Sequence, residues 1–123
     1  MEELLLEDRT SAGKAGGDCC APLAGPEISP EEAKATAALF KALADPTRVR
    51  MVNMLANSAE PVCVCEMNDH FHLGQPTVSH HLKKLVGAGL LQREQRGTWA
   101  YYSIDRDALN RLADVTRATR RTR

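Results

Sequence analysis

At Gly87-Ala88-Gly89 the apolar periodicity of this chain changes, and that change limits the folds open to it. Before it, in "QPTVSHHLKKLVGAG", Val78, Leu82, Leu85 and Val86 recur at helical spacing. After it, "LLQREQRGTWAYYSI" reads as strand, tight turn at Arg96-Gly97, and strand, with Trp99, Tyr101 and Tyr102 as strand formers. Gly87 and Gly89 flank the end of the helix, where glycine is favoured. A polar helix feeding directly into a hairpin is a short list of architectures.

The elements upstream narrow it further. Ser29, Pro30 and Glu32 read as N-cap, first helical position and capping-box partner of a first helix, with Ala33, Ala37, Phe40 and Ala44 as its apolar stripe. Asp45 and Pro46 restart the pattern as cap and first residue of a second helix, with Val49, Val52 and Leu55 or Ala56 inward. A short third helix fits Val64 to Phe71, "HLG" is a turn, and Gln75-Pro76 opens the fourth. After the hairpin, "DRDALNRLADVTRA" is helical with Ala108, Leu112 and Val115 on one face. The order predicts a mainly α fold with a β-hairpin, a winged helix-turn-helix. Residues 1–28 are expected to be a flexible arm, because glycines and prolines break them and Leu4 to Leu6 is their one apolar run. Residues 29–118 would be the domain and 119–123 a basic tail. A core drawn from about 95 residues is small, so a partner subunit is expected.

A helix-turn-helix has a physical use, since the first helix steadies a second whose polar face can enter the major groove. Gln75, Thr77, Ser79 and His80 are the expected readers of base edges, and Lys83 and Lys84 the phosphate contacts. Arg93 and Arg96 on the hairpin are placed to reach the backbone or the adjacent minor groove. Neighbouring His80 and His81 do not share a helix face, so they are a weak metal signal, and one of them is expected to pack. The formal net charge of +0 conceals a division. Residues 1–33 hold eight carboxylates against Arg9 and Lys14, whereas the fourth helix, the hairpin and the C-terminus are basic. A local basic footprint is what DNA requires.

The chain has four cysteines, in "DCC" (Cys19, Cys20) and "PVCVCE" (Cys63, Cys65). No apolar run is long enough for a signal peptide or a membrane span. A cytoplasmic location is therefore expected, where disulfides are disfavoured and clustered thiols bind metal or sense redox state. Cys63 and Cys65 sit at a helix start, where an extended first residue lets both sulfurs converge and the helix N-terminus favours thiolate. Soft thiolates select soft or borderline ions: three suit As(III) or Sb(III), four suit tetrahedral zinc or cadmium. Glu66 and Asp69 are read as solvating the third helix, and His70 and His72 as surface or packing residues. A thiol enzyme is poorly matched, because "CVC" lacks the spacing of a thioredoxin-like pair and no carboxylate-histidine constellation accompanies it.

With these residues in place, the chain resembles the ArsR/SmtB family of bacterial metal-responsive repressors. The matching pieces are "LFKALADPTRVRMVNMLA", "VCVCEM", "LGQPTVSHHLKKLVGAGLL" and "RGTWAYYSI", which cover about residues 39–104 in order. The resemblance implies a cytoplasmic, homodimeric, non-enzymatic transcriptional repressor that binds double-stranded operator DNA when metal-free, its first and last helices forming much of the dimer interface. It also implies that Cys63 and Cys65 are metal ligands and that Gln75, Thr77, Ser79 and His80 read DNA. Met67 and Asn68 offer no third thiolate, so Cys19 or Cys20 is the expected replacement, from the same or the other subunit. Arsenite or antimonite is the expected inducer in an arsenical-resistance setting. Cadmium or lead is the alternative, and thiol oxidation a further one. Zinc is disfavoured, because the last helix lacks the histidine of the family's zinc site.

Overall fold

The fold is given by a computed structural model that describes residues 27–118. The expected arm and tail lie outside these residues, save for Glu27 and Ile28. Five helices and three strands follow in the order α1 (Pro30–Leu43), α2 (Pro46–Ala56), β1 (Val62–Cys63), α3 (Val64–Phe71), α4 (Gln75–Ala88), β2 (Leu91–Arg96), β3 (Trp99–Ile104) and α5 (Arg106–Thr116). Among the described residues no helix is long and apolar enough to cross a membrane.

The helix starts are set by side-chain caps. Ser29 Oγ accepts from the Glu32 N–H at 3.1 Å, Asp45 Oδ2 from Arg48 N–H at 3.1 Å, and Asp105 Oδ1 from Ala108 N–H at 3.0 Å. Each satisfies a donor that has no partner inside its helix. α3 ends on His72, which takes the left-handed conformation at φ 55° while its N–H returns to the Asn68 carbonyl. α4 runs through Gly87 and stops at Gly89, whose φ of 92° suits glycine, and Leu90 N–H closes the end on the Leu85 carbonyl.

β3 is the centre of a three-stranded antiparallel sheet, with β2 on one side and the short β1 on the other. The paired ends Arg96 and Trp99 leave Gly97-Thr98 as the turn, one residue later than the sequence suggested. Gly97 has φ 64° and Thr98 is not in that region, an arrangement of the II′ kind that places glycine first. β1 was not expected as a strand. It forms because Val62 and Cys63 find β3 residues Tyr102 and Tyr101 across the sheet.

Met51, Leu55, Met67, Val78, Leu82, Leu85 and Leu90 make the fully buried centre. α1 packs on α4, α5 and α2, while β3 packs on α2 and α3. Two expected stripes are displaced. On α1 the core takes Thr36, Leu39 and Ala42, whereas Ala33, Ala37, Phe40 and Ala44 face outward. On α2 the core takes Met51, Val52 and Leu55, and Val49 is 49% exposed. Both helices are apolar on more than one side, so spacing alone does not choose the side that meets α4 and the sheet.

Candidate thiol site and nucleic-acid interface

Cys63 is at once the last residue of β1 and the N-cap of α3. Its backbone is extended (φ −70°, ψ 144°), because β1 pairs with β3 at this point. Cys65 lies on the first turn of the helix, and the change of conformation between the two turns their side chains to one side. The Cα atoms are 5.2 Å apart and the two sulfurs are in contact. Cys63 is buried at 5% exposure and Cys65 is half-buried, so the pair sits at the edge of the core with one sulfur toward the surface.

The cap chemistry is reciprocal. Cys63 Sγ accepts from the Cys65 N–H at 3.3 Å, and Glu66 Oε1 accepts from the Cys63 N–H at 3.1 Å. Glu66 is therefore a capping-box residue and not a solvating one; the signal was a cap residue followed three positions later by Glu, obscured because the cap is cysteine. The positive end of the helix dipole lies at the sulfurs, which favours thiolate character in the reduced pair. Two converging soft donors fit a thiophilic ion, but they are half a coordination shell. Among the described residues no cluster of three His, Cys, Asp or Glu side chains could hold a metal. Cys19 and Cys20 lie outside the described residues.

The second functional surface begins at Gln75, ten residues after Cys65. α3, the His72-Leu73-Gly74 turn and α4 form the helix-turn-helix. Gln75, Thr77, Ser79, His80, Lys83 and Lys84 are all exposed on α4, opposite Val78, Leu82 and Leu85. Ser79 and Lys83 line one cleft with Arg93 of β2 and Tyr102 of β3, so the helix and the hairpin share a basic groove. Lys84 is not part of it. It lies on the other flank of α4, in a cleft with Lys41 and Arg48. Arg93 Nη2 donates to Gln95 Oε1 at 2.7 Å. Arg96 is drawn back, paired with Glu94 at 3.1 Å and lying over the Tyr101 ring at 4.6 Å. The Glu94 carboxylate holds the Arg96 guanidinium above its ordinary pKa. Sequence reasoning did not single out Lys41 or Arg48, because a basic residue on an apolar helix reads as solvated until its neighbours are known.

Comparison with known proteins agrees with this arrangement. Residues 45–93, from the cap of α2 into β2, match the model of the family described as bacterial regulatory protein, arsR family. An uncharacterized HTH-type transcriptional regulator of Methanocaldococcus jannaschii is 38% identical over 82 residues, which is 67% of this chain and 91% of that protein. An arsenical resistance operon repressor of Bacillus subtilis is 38% identical over 73 residues, 59% of this chain and 69% of that one. A homolog of the cadmium resistance transcriptional regulatory protein CadC from Staphylococcus aureus is 35% identical over 78 residues, 63% of this chain and 64% of that one. Among solved structures, the homodimeric winged helix-turn-helix domain of a possible ArsR-family regulator from Mycobacterium bovis superposes with a TM-score of 0.60 at 28% identity, covering 76% of this chain and 86% of the other.

Proposed function

Because the chain belongs to the arsR family of bacterial regulatory proteins, DNA-binding transcriptional regulators that sense metals or metalloids, we propose that it is a homodimeric repressor released from its operator by arsenite or antimonite. The observation that carries this reading is the meeting of Cys63 and Cys65 at the start of α3, the helix that leads straight into the DNA-reading unit. The relatives concerned with arsenical resistance add support.

In the proposed mechanism Cys63 and Cys65 supply two thiolates and Cys19 or Cys20 the third or fourth. Bound there, a trivalent metalloid would supply a thiolate-held linkage between the arm and α3. Gln75, Thr77, Ser79 and His80 read the major groove, Lys83, Lys84, Arg93 and Arg96 engage phosphates or the neighbouring groove, and dimerisation sets two α4 helices about one turn of DNA apart. α3 is an eight-residue rod about 12 Å long, so displacement of its N-terminus moves the turn at its other end. Tethering the arm biases the dimer toward a geometry that no longer matches successive grooves. Coupling of about 1–3 kcal/mol would change operator affinity by roughly 5- to 150-fold.

The test is titration of reduced protein with As(III), Sb(III), Cd(II), Pb(II) and Zn(II), read by operator release. As(III) and Sb(III) are expected to be most potent, and Cys63→Ser and Cys65→Ser to abolish release while leaving metal-free operator binding near wild type. Greater potency of Cd(II) or Pb(II) would favour the reading suggested by the cadmium-resistance relative. A second reading, thiol oxidation, is favoured by the contact between the two sulfurs. It predicts release by peroxide, with no metalloid-thiolate absorption on titration.

A further inference from the structure

α4 carries two adjacent histidines, and their surroundings are opposite. His80 is exposed, as Thr77 and Ser79 are. His81 turns inward, its side chain 13% exposed, and its Nδ1 lies 3.2 Å from Arg48 Nη1. A guanidinium only donates, so Nδ1 accepts and the ring proton resides on Nε2. Arg48 is fixed elsewhere as well. Its Nε donates to the Ala42 carbonyl, in the last turn of α1, at 2.6 Å, and its backbone N–H donates to Asp45 Oδ2 at 3.1 Å. The same Asp45 oxygen is 3.9 Å from His81 Nδ1. One arginine thus joins the end of α1, the cap of α2 and the inner face of α4.

We propose that His81 is a positioning residue for operator binding: through Arg48 it sets the roll of α4 about its own axis, and so the direction in which Thr77, Ser79 and His80 point. The inference rests on the reading of α4 as the DNA-reading helix. Val78, Leu82 and Leu85 hold α4 to the core, but apolar burial is non-directional and tolerates a small rotation. A hydrogen bond to a guanidinium is directional and weakens steeply as its angle opens. Base readout needs side chains held to a fraction of an ångström, which burial alone does not specify. The adjacency of His80 and His81 then has a reason: one residue meets DNA and the next fixes the frame that presents it.

The experiment compares His81→Leu, which fills the space without an acceptor, with His81→Gln, whose Oε1 can accept from Arg48. Operator affinity and thermal unfolding are measured for both, with Ser79→Ala alongside. His81→Leu is expected to stay folded and lose about tenfold or more in specific operator affinity, and His81→Gln to recover to within about threefold. Arg48→Met should give a similar loss, and the double variant with His81→Leu should be no worse than either single one. Wild-type affinity in His81→Leu, no recovery in His81→Gln, or additive losses would overturn the proposal. Should His81→Leu fail to fold, the imidazole ¹⁵N shifts of the native protein at neutral pH decide: a bare Nδ1 with the proton on Nε2 supports it, and a proton on Nδ1 overturns it. A loss in Ser79→Ala with none in His81→Leu removes this proposal alone, whereas a wild-type protein with no specific DNA affinity removes the DNA reading along with it.

Discussion

Two N-caps in this protein use different atoms, and in the proposed mechanism the difference separates stability from sensing. Asp45 caps α2 with a carboxylate whose pKa is held below its ordinary value, first by the hydrogen bond from the Arg48 backbone N–H and then by the nearby Arg48 charge. A carboxylate with a depressed folded-state pKa contributes stability that is fully present above its unfolded pKa and is lost as pH falls through the folded one. Urea unfolding of the wild type should therefore weaken as pH falls below about 4. Asp45→Asn, which keeps a capping oxygen but no charge, should flatten part of that slope; identical acid slopes in the two proteins would contradict the assignment. Cys63 caps α3 with sulfur, a weak acceptor. A serine there would cap a helix better. The poorer cap places a thiol at the helix N-terminus, where metal or oxidation can reach it through the half-buried Cys65.

At the scale of the element, α4 divides its residues between two jobs, and substitutions should divide the same way. Leu82→Ala removes a fully buried side chain and should cost about 2–5 kcal/mol of stability. Lys83→Ala, exposed in the groove with Ser79 and Arg93, should leave thermal unfolding unchanged, weaken binding to all DNA sequences alike and reduce the salt slope by about 1. Fluorescence-monitored unfolding and operator titration at several salt concentrations check the pair. α4 was legible in the sequence, down to the buried stripe and the exposed polar face, because it is apolar on one side only. α3 was legible in its extent, Val64 to Phe71, with "HLG" marking the turn after it, although the left-handed residue that ends it is His72 and not the glycine. α1 was not, because Ala33, Ala37 and Phe40 are as regularly spaced as the residues that actually meet the core. β1 escaped notice because a strand of two residues has no periodicity and exists only through its distant partner β3. The thiol pair was visible as chemistry, but its convergence depended on β1 holding Cys63 extended. The sequence showed only that one of His80 and His81 should pack; that it is His81 could not be read, since its partner Arg48 lies 33 residues away.

For the whole molecule, the displaced stripe of α1 is an argument about assembly. Ala33, Ala37 and Phe40 are exposed on α1, Phe40 by 42%, and Ile28 and Val115 flank a cleft between α1 and α5. In the proposed dimer these apolar positions are covered by the second copy. Phe40→Asp should then yield a folded monomer in sedimentation experiments, with operator affinity reduced to that of a single half-site; a stable dimer in that variant would place the interface elsewhere. The dimer also fixes what the sensor can do. If inducer weakens operator binding by some factor, thermodynamic linkage requires operator to weaken inducer binding by the same factor. The As(III) dissociation constant should thus rise in the presence of saturating operator, by the ratio of operator affinities measured with and without As(III). The arm enters the same cycle. If Cys19 or Cys20 is the missing ligand and its tethering is what opposes DNA, replacing both with serine should reduce the ratio toward 1 in both directions, while Cys63 and Cys65 continue to bind As(III) more weakly. A ratio that survives in one direction only would show that release is kinetic and not an equilibrium between two states of the dimer.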